Sequence, residues 1–72
     1  MAYYTCKTLV ISDYGRTVLD DKTLTIDQFN EEYAILISQG FTIDECYDGN
    51  IELSKTDDEG MMFITFSYNG GD

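Results

Sequence analysis

Only residues 26–39 of this chain space their apolar side chains for a helix, and the segments on either side are written for strands. Ile26, Phe29, Tyr33, Leu36 and Ile37 fall within about 100° of one another on an α-helical wheel. The ends of the helix are also marked. Thr25 with Gln28 forms a capping box, Leu24 and Phe29 are placed for a hydrophobic staple, Asp27 suits the positive end of the dipole, and Gly40 supplies a left-handed stop. Ile35 falls opposite the stripe among Asp27, Gln28, Glu31 and Gln39, so the periodicity predicts an apolar side chain in an acidic face. A singly exposed isoleucine is also ordinary on a monomer.

The remaining segments are β-branched or alternating. Residues 3–12, YYTCKTLVIS, precede Asp13-Tyr14-Gly15, and a three-residue loop with a left-handed Gly15 pairs Val10 with Val18, Leu9 with Leu19 and Lys7 with Asp21. After the helix, a loop at 47–49 pairs Ile43 with Leu53 and Glu45 with Ile51. A two-residue loop there would set Glu45 against Glu52. Phe41, Ile43, Ile51 and Leu53 then share the core face, leaving Asp44, Cys46, Glu52 and Ser54 on the other. The last strand, 61–68, faces Met62, Ile64, Phe66 and Tyr68 inward and Phe63 outward. The predicted class is α+β, in the order β-β-α-β-β-β, with one helix on a mainly antiparallel five-stranded sheet ordered 2-1-5-4-3.

Seventy-two residues make one acidic domain, 1–72, and a fold this small buries only about 60% of its unfolded surface. A partner or a second copy would stabilise it. The absence of histidine removes an imidazole base, a Ser-His or Cys-His nucleophile and an ordinary zinc site. No catalytic residue, cofactor or metal is expected. Cys6 and Cys46 lack CxxC spacing and are expected as free thiols. The amino terminus shows no basic region ahead of a long apolar run, and no stretch reaches the length of a membrane span, so a cytoplasmic protein is expected.

Charge is the strongest functional signal. Fourteen Asp and Glu against four Lys and Arg give −10, about one uncompensated charge per 450 Å² on a surface of about 4,500 Å². Lys7, Arg16, Lys22 and Lys55 are scattered, so no basic stripe exists for nucleic acid or an anionic membrane. Net charge keeps a protein soluble, and it also fits a surface that meets a basic, nucleic-acid-binding host protein. The acidic groups form three sets: Asp27, Glu31 and Glu32 on the helix; Asp44 and Glu52 on the outer sheet face; Asp57, Asp58 and Glu59 in the last hairpin loop. Helical positions four apart lie roughly 6 Å from each other and alternate strand positions about 6.6 Å, a spacing like that of a phosphate row. Ile35, Phe63, Tyr3, Tyr14 and Tyr47 would supply anchors within the charged rim.

Two other constellations fail on their residues. Asp44 to Lys55 matches a calcium loop at Asp48 and Gly49, but Cys46 stands at its third position and Lys55 at its twelfth. Asp44 with Glu52 as an acid–base pair lacks a water-excluding cleft. Asn69-Gly70-Gly71-Asp72 resembles the Gly-Gly tail of ubiquitin-like sulfur carriers, which would require removal of Asp72.

In length, charge and sheet-plus-helix layout the chain resembles the small acidic inhibitors encoded by phages and mobile elements: anti-CRISPR proteins, anti-restriction proteins and uracil-DNA glycosylase inhibitors. The resemblance implies a stoichiometric blocker, working in the host bacterial cell, whose carboxylates stand in for phosphates in a nucleic-acid-binding groove. The alternative from the residues themselves is a structural or assembly module, a small homodimer joined through the outer sheet face at Phe63 and Met61 or along the strand-three edge.

Overall fold

The computed structural model describes residues 2–47 and 49–70; Met1, Asp48, Gly71 and Asp72, with the side chains of Asp20, Glu45 and Tyr47, lie outside that description. The elements are β1 (Tyr3–Ser12), β2 (Gly15–Leu24), α1 (Ile26–Ser38), β3 (Thr42–Tyr47), β4 (Asn50–Asp57) and β5 (Gly60–Asn69). They form one helix on an antiparallel sheet, the α+β class read from the sequence. The sheet has five strands in the order β2-β1-β5-β4-β3.

The helix begins and ends where its capping chemistry dictates. Thr25 Oγ1 accepts from the Gln28 N–H at 3.2 Å, and the Thr25 N–H donates to Gln28 Oε1 at 2.9 Å. Leu24 and Phe29, the expected staple, are both buried. At the other end the Phe41 N–H reaches the Leu36 carbonyl and the Gly40 N–H the Ile37 carbonyl, each at 3.1 Å, with Gly40 at φ 97°. This is the Schellman arrangement, and it drops Phe41 into the core beside Leu36.

The buried side chains are Cys6, Leu24, Phe29, Leu36, Phe41, Leu53, Ile64 and Phe66, with Tyr4, Tyr33 and Ile51 packed against them. Of the expected inward set, Ile26, Ile37, Ile43, Met62 and Tyr68 remain exposed. The reason is the helix's small footprint. A helix of 13 residues, about 20 Å long and 10 Å across, cannot cover five strands of up to ten residues, so side chains at its flanks, over edge strand β3 and toward the ends of β5 stay wet.

Both hairpins correct the expected registers in the same way. Ser12 pairs with Gly15, Leu9 with Val18 and Val10 with Thr17, so the turn holds two residues, Asp13 and Tyr14, rather than three. Beyond Thr8↔Leu19 the register shifts to Cys6↔Lys22, leaving Asp20 and Asp21 opposite Lys7. In the second hairpin Tyr47 pairs with Asn50, Cys46 with Ile51 and Glu45 with Glu52, and after a shift at Asp44 Ile43 pairs with Leu53. The extra residue thus sits in a bulge within each edge strand instead of in the loop. Two-residue turns match the twist of the flanking strands, and like charges on opposite residues cost no more than about 1 kcal/mol, so the turn decides. Opposite residues share a face, which moves Cys46 from the outer side to the helix side.

Two core predictions follow. Phe66→Ala is expected to lose about 3–5 kcal/mol, most of the stability a domain this small has, and to abolish the cooperative thermal transition by circular dichroism. Gly60, at φ 150°, has no room for a Cβ, which would run into the Ile11 carbonyl oxygen across the β1–β5 ladder. Gly60→Ala is therefore expected to lower the midpoint by several degrees, with the helical signal retained below the transition.

Candidate protein-binding surfaces

The expected site residues divide between two opposite sides of the molecule. Asp27 and Glu31 stand exposed on the solvent side of α1, one turn apart, with Ile35 half exposed at 50% of its surface beyond them. Glu32 is turned toward β2, where its Oε1 lies 3.7 Å from Lys22 Nζ. It is the one ion pair among the described residues. Both partners are substantially solvated, so the pair orients Glu32 away from the Asp27–Glu31 row without adding much stability.

The second acidic group sits at one end of the sheet. Ser12 pairs with Gly60, and this brings the Asp13-Tyr14 turn beside the Asp58-Glu59 turn. Asp13, Tyr14, Asp58 and Glu59 line a shallow hollow of about 390 Å³, and the Tyr14 ring is fully exposed. Asp57 has a different task. Its Oδ1 accepts from the Glu59 N–H at 2.8 Å and the Gly60 N–H at 3.1 Å, which holds the turn closed. Tyr14 was expected as an anchor; Asp13 was not in the expected set, although the strand pairing alone would have placed their turn beside 58–59.

A groove of about 320 Å³ opens between the C-terminal end of α1 and the end of the sheet that carries the turn cluster. Leu36 and Phe41 from the helix end and Val10 and Met62 from the sheet line it, with Gln39, Asp57 and Glu59 at its margin. Lys55 Nζ lies 5.8 Å from the Phe41 ring centroid within the same groove. The groove meets the turn cluster through Glu59, whereas Asp27 and Glu31 do not line it and stand on the N-terminal half of α1.

Glu52 and Phe63 lie on the other side. Phe63 pairs with Leu9 and Ser54, and Glu52 with Thr65, all on the sheet face away from α1. Lys7, Ile11, Arg16, Val18 and Met61 share that face by register. Asp44 occupies the bulge of edge strand β3, on neither side. The ten expected residues thus do not form one patch. The side chain of Tyr47 and the calcium-loop position Asp48 are outside the described residues, as are Gly71 and Asp72 of the carrier-like tail.

No group of side chains suited to a metal ion occurs among the described residues, and no described helix is long and apolar enough to cross a membrane. Comparison with protein-family models, with curated proteins and with solved structures returns no match.

Both cysteines are free, Cys6 buried under the helix and Cys46 exposed on β3. Burial pushes the Cys6 thiol up, partly offset by Lys22 and a hydrogen bond to Thr8. A thiol raised in the folded state contributes stability that is present below the unfolded value and lost as pH climbs through the folded one. Unfolding free energy is expected to fall above about pH 8.5 and this fall to disappear in Cys6→Val, measured by urea titration. A thiol reagent at neutral pH should modify Cys46 in seconds and Cys6 only at the rate of unfolding.

Proposed function

We propose that this chain is a non-catalytic protein-binding inhibitor that blocks a host nucleic-acid-binding or nucleic-acid-processing protein through a DNA-mimic-like acidic surface, acting in the cytoplasm. The observation that carries the reading is the distribution of charge. A net −10 is accompanied by a single ion pair among the described residues, with Asp27 and Glu31 exposed one turn apart on α1 and Asp13, Asp58 and Glu59 gathered around one hollow at the end of the sheet. Groups left this far from cations gain nothing for the fold, since like charges at i and i+4 cost a few tenths of a kcal/mol. They meet a surface of Lys and Arg arranged for a polyanion at an enhanced rate, and Ile35, Tyr14 and the apolar groove would prolong the complex once formed.

The sheet-face residues Glu52 and Phe63 do not belong to this surface, because a partner on the helix side cannot reach them. A second reading, a small homodimer with a role in assembly, is favoured by that uncovered face.

The test is capture from nuclease-treated bacterial lysate on the immobilised chain, washed at low and then high salt, beside the variant Asp27→Lys/Glu31→Lys/Asp58→Lys/Glu59→Lys. Asp57 is kept because its carboxylate closes the turn. The expected result is a nucleic-acid-binding protein held by the wild type, released by high salt, and bound at least about 100-fold more weakly by a variant whose circular dichroism is unchanged. Equal binding by the variant would sink the proposal.

A further inference from the structure

We propose that the sheet face opposite α1 binds a second copy of this chain about a two-fold axis running along β5. The proposal deepens the homodimer reading and is independent of the acidic inhibitor surface. The molecule has too much surface for its mass. It exposes 5157 Å², roughly 600 Å² more than the approximately 4,500 Å² expected of a compact monomer of this size. Its radius of gyration of 12.6 Å likewise exceeds the approximately 11 Å expected. Part of that surface is the sheet face away from α1, where Tyr3, Val18 and Met61 are exposed and Leu9, Ile11 and Phe63 half-buried. Strands of ten, ten, six, eight and ten residues cover about 700 Å² on a face, so two such faces would bury about 1,400 Å² together, within the range of a standard stable interface.

The register makes the face self-complementary. Lys7 pairs with Thr65 and Thr65 with Glu52, which sets Lys7, Thr65 and Glu52 in one row across β1, β5 and β4. A two-fold axis along β5 carries β1 of one copy over β4 of the other. Lys7 then stands over the second copy's Glu52, and symmetry makes the contact twice. In the next outward-facing rows, Leu9–Phe63–Ser54 and Ile11–Met61–Thr56, Phe63 and Met61 fall on the axis and meet their own counterparts. The apolar centre is thereby dry and the charges lie to either side. An edge-to-edge dimer is disfavoured by the bulges at 20–21 in β2 and at Asp44 in β3, which twist the edges, and by the exposed carboxylates of Asp21 and Asp44. At the rim of a face-to-face pair those same carboxylates remain in water, where their repulsion is screened.

Sedimentation equilibrium of the full chain at physiological salt is expected to give twice the 8.2 kDa chain mass. Phe63→Lys should give a monomer with an unchanged circular dichroism spectrum. Lys7→Glu and Glu52→Lys should each weaken the dimer at least about tenfold, and the double exchange should restore it to within about threefold of wild type. A wild type that stays monomeric at millimolar concentration overturns the proposal, as does a dimer indifferent to Phe63→Lys. Failure of the double exchange to recover overturns the axis. The readout is mass, so loss of the dimer leaves target capture by the helix side standing, and absence of a target leaves the dimer standing.

Discussion

The aromatic cluster under α1 fixes everything else in this fold. Phe29 stacks on Tyr4 with ring centroids 3.8 Å apart and meets Phe66 edge-on at 5.0 Å, while Tyr4 in turn touches Tyr68 at 5.3 Å. One residue from the first strand, one from the helix and two from the last strand are thereby locked together, far apart in sequence and adjacent in space. Such pairs add about 0.5–1.5 kcal/mol beyond their buried area. Because the cluster sits beneath the first turns of the helix, the helix is pinned at that end and the opposite end of the sheet is left to project beyond Leu36 and Phe41. The groove and the two paired turns at 13–14 and 58–59 are consequences of that placement.

Much of this was legible in the residues. The capping box, the staple, the Gly40 stop and the inward set of Phe29, Leu36, Leu53, Ile64 and Phe66 all follow from local chemistry that tertiary context did not override. What misled was the place of one extra residue in each hairpin. Face parity at the open ends, Cys6 with Lys22 and Ile43 with Leu53, requires an odd residue somewhere, and a loop glycine at position 15 or 49 is the obvious place to put it. The chain puts it among acidic residues of the edge strands instead. Periodicity cannot distinguish the two, because both solutions present the same side chains to the core beyond the irregularity.

The candidate surface was harder to read for a related reason. Sequence grouping collected carboxylates by element, and elements are what the fold then sends to opposite sides: Asp27 and Glu31 to one, Glu52 to the other, Asp44 to an edge. Asp57 shows a second limit, since an aspartate before a turn looks like any other carboxylate until its hydrogen bonds to Glu59 and Gly60 are seen. Asp13, by contrast, was recoverable from the pairing of β1 with β5, which must bring the first turn beside the last.

The same charge acts with opposite sign on the two proposed associations. Two chains of −10 repel as they approach within about a Debye length, so self-association through the sheet face has to overcome a term that added salt shortens and weakens. Encounter of the acidic side with a basic partner is driven by that term and weakens as salt rises. In the proposed dimer the Lys7–Glu52 contacts would be short and, once desolvated between two sheets, screened far less than the field of the whole molecule. Moderate salt should therefore tighten the dimer while loosening the complex, and a single association that responded in only one direction would mean that one face does both jobs. Physically the arrangement is coherent because the two faces are back to back: covering the sheet with a second copy leaves both helices outward, and each acidic side then carries the field of a doubly charged particle toward whatever it binds.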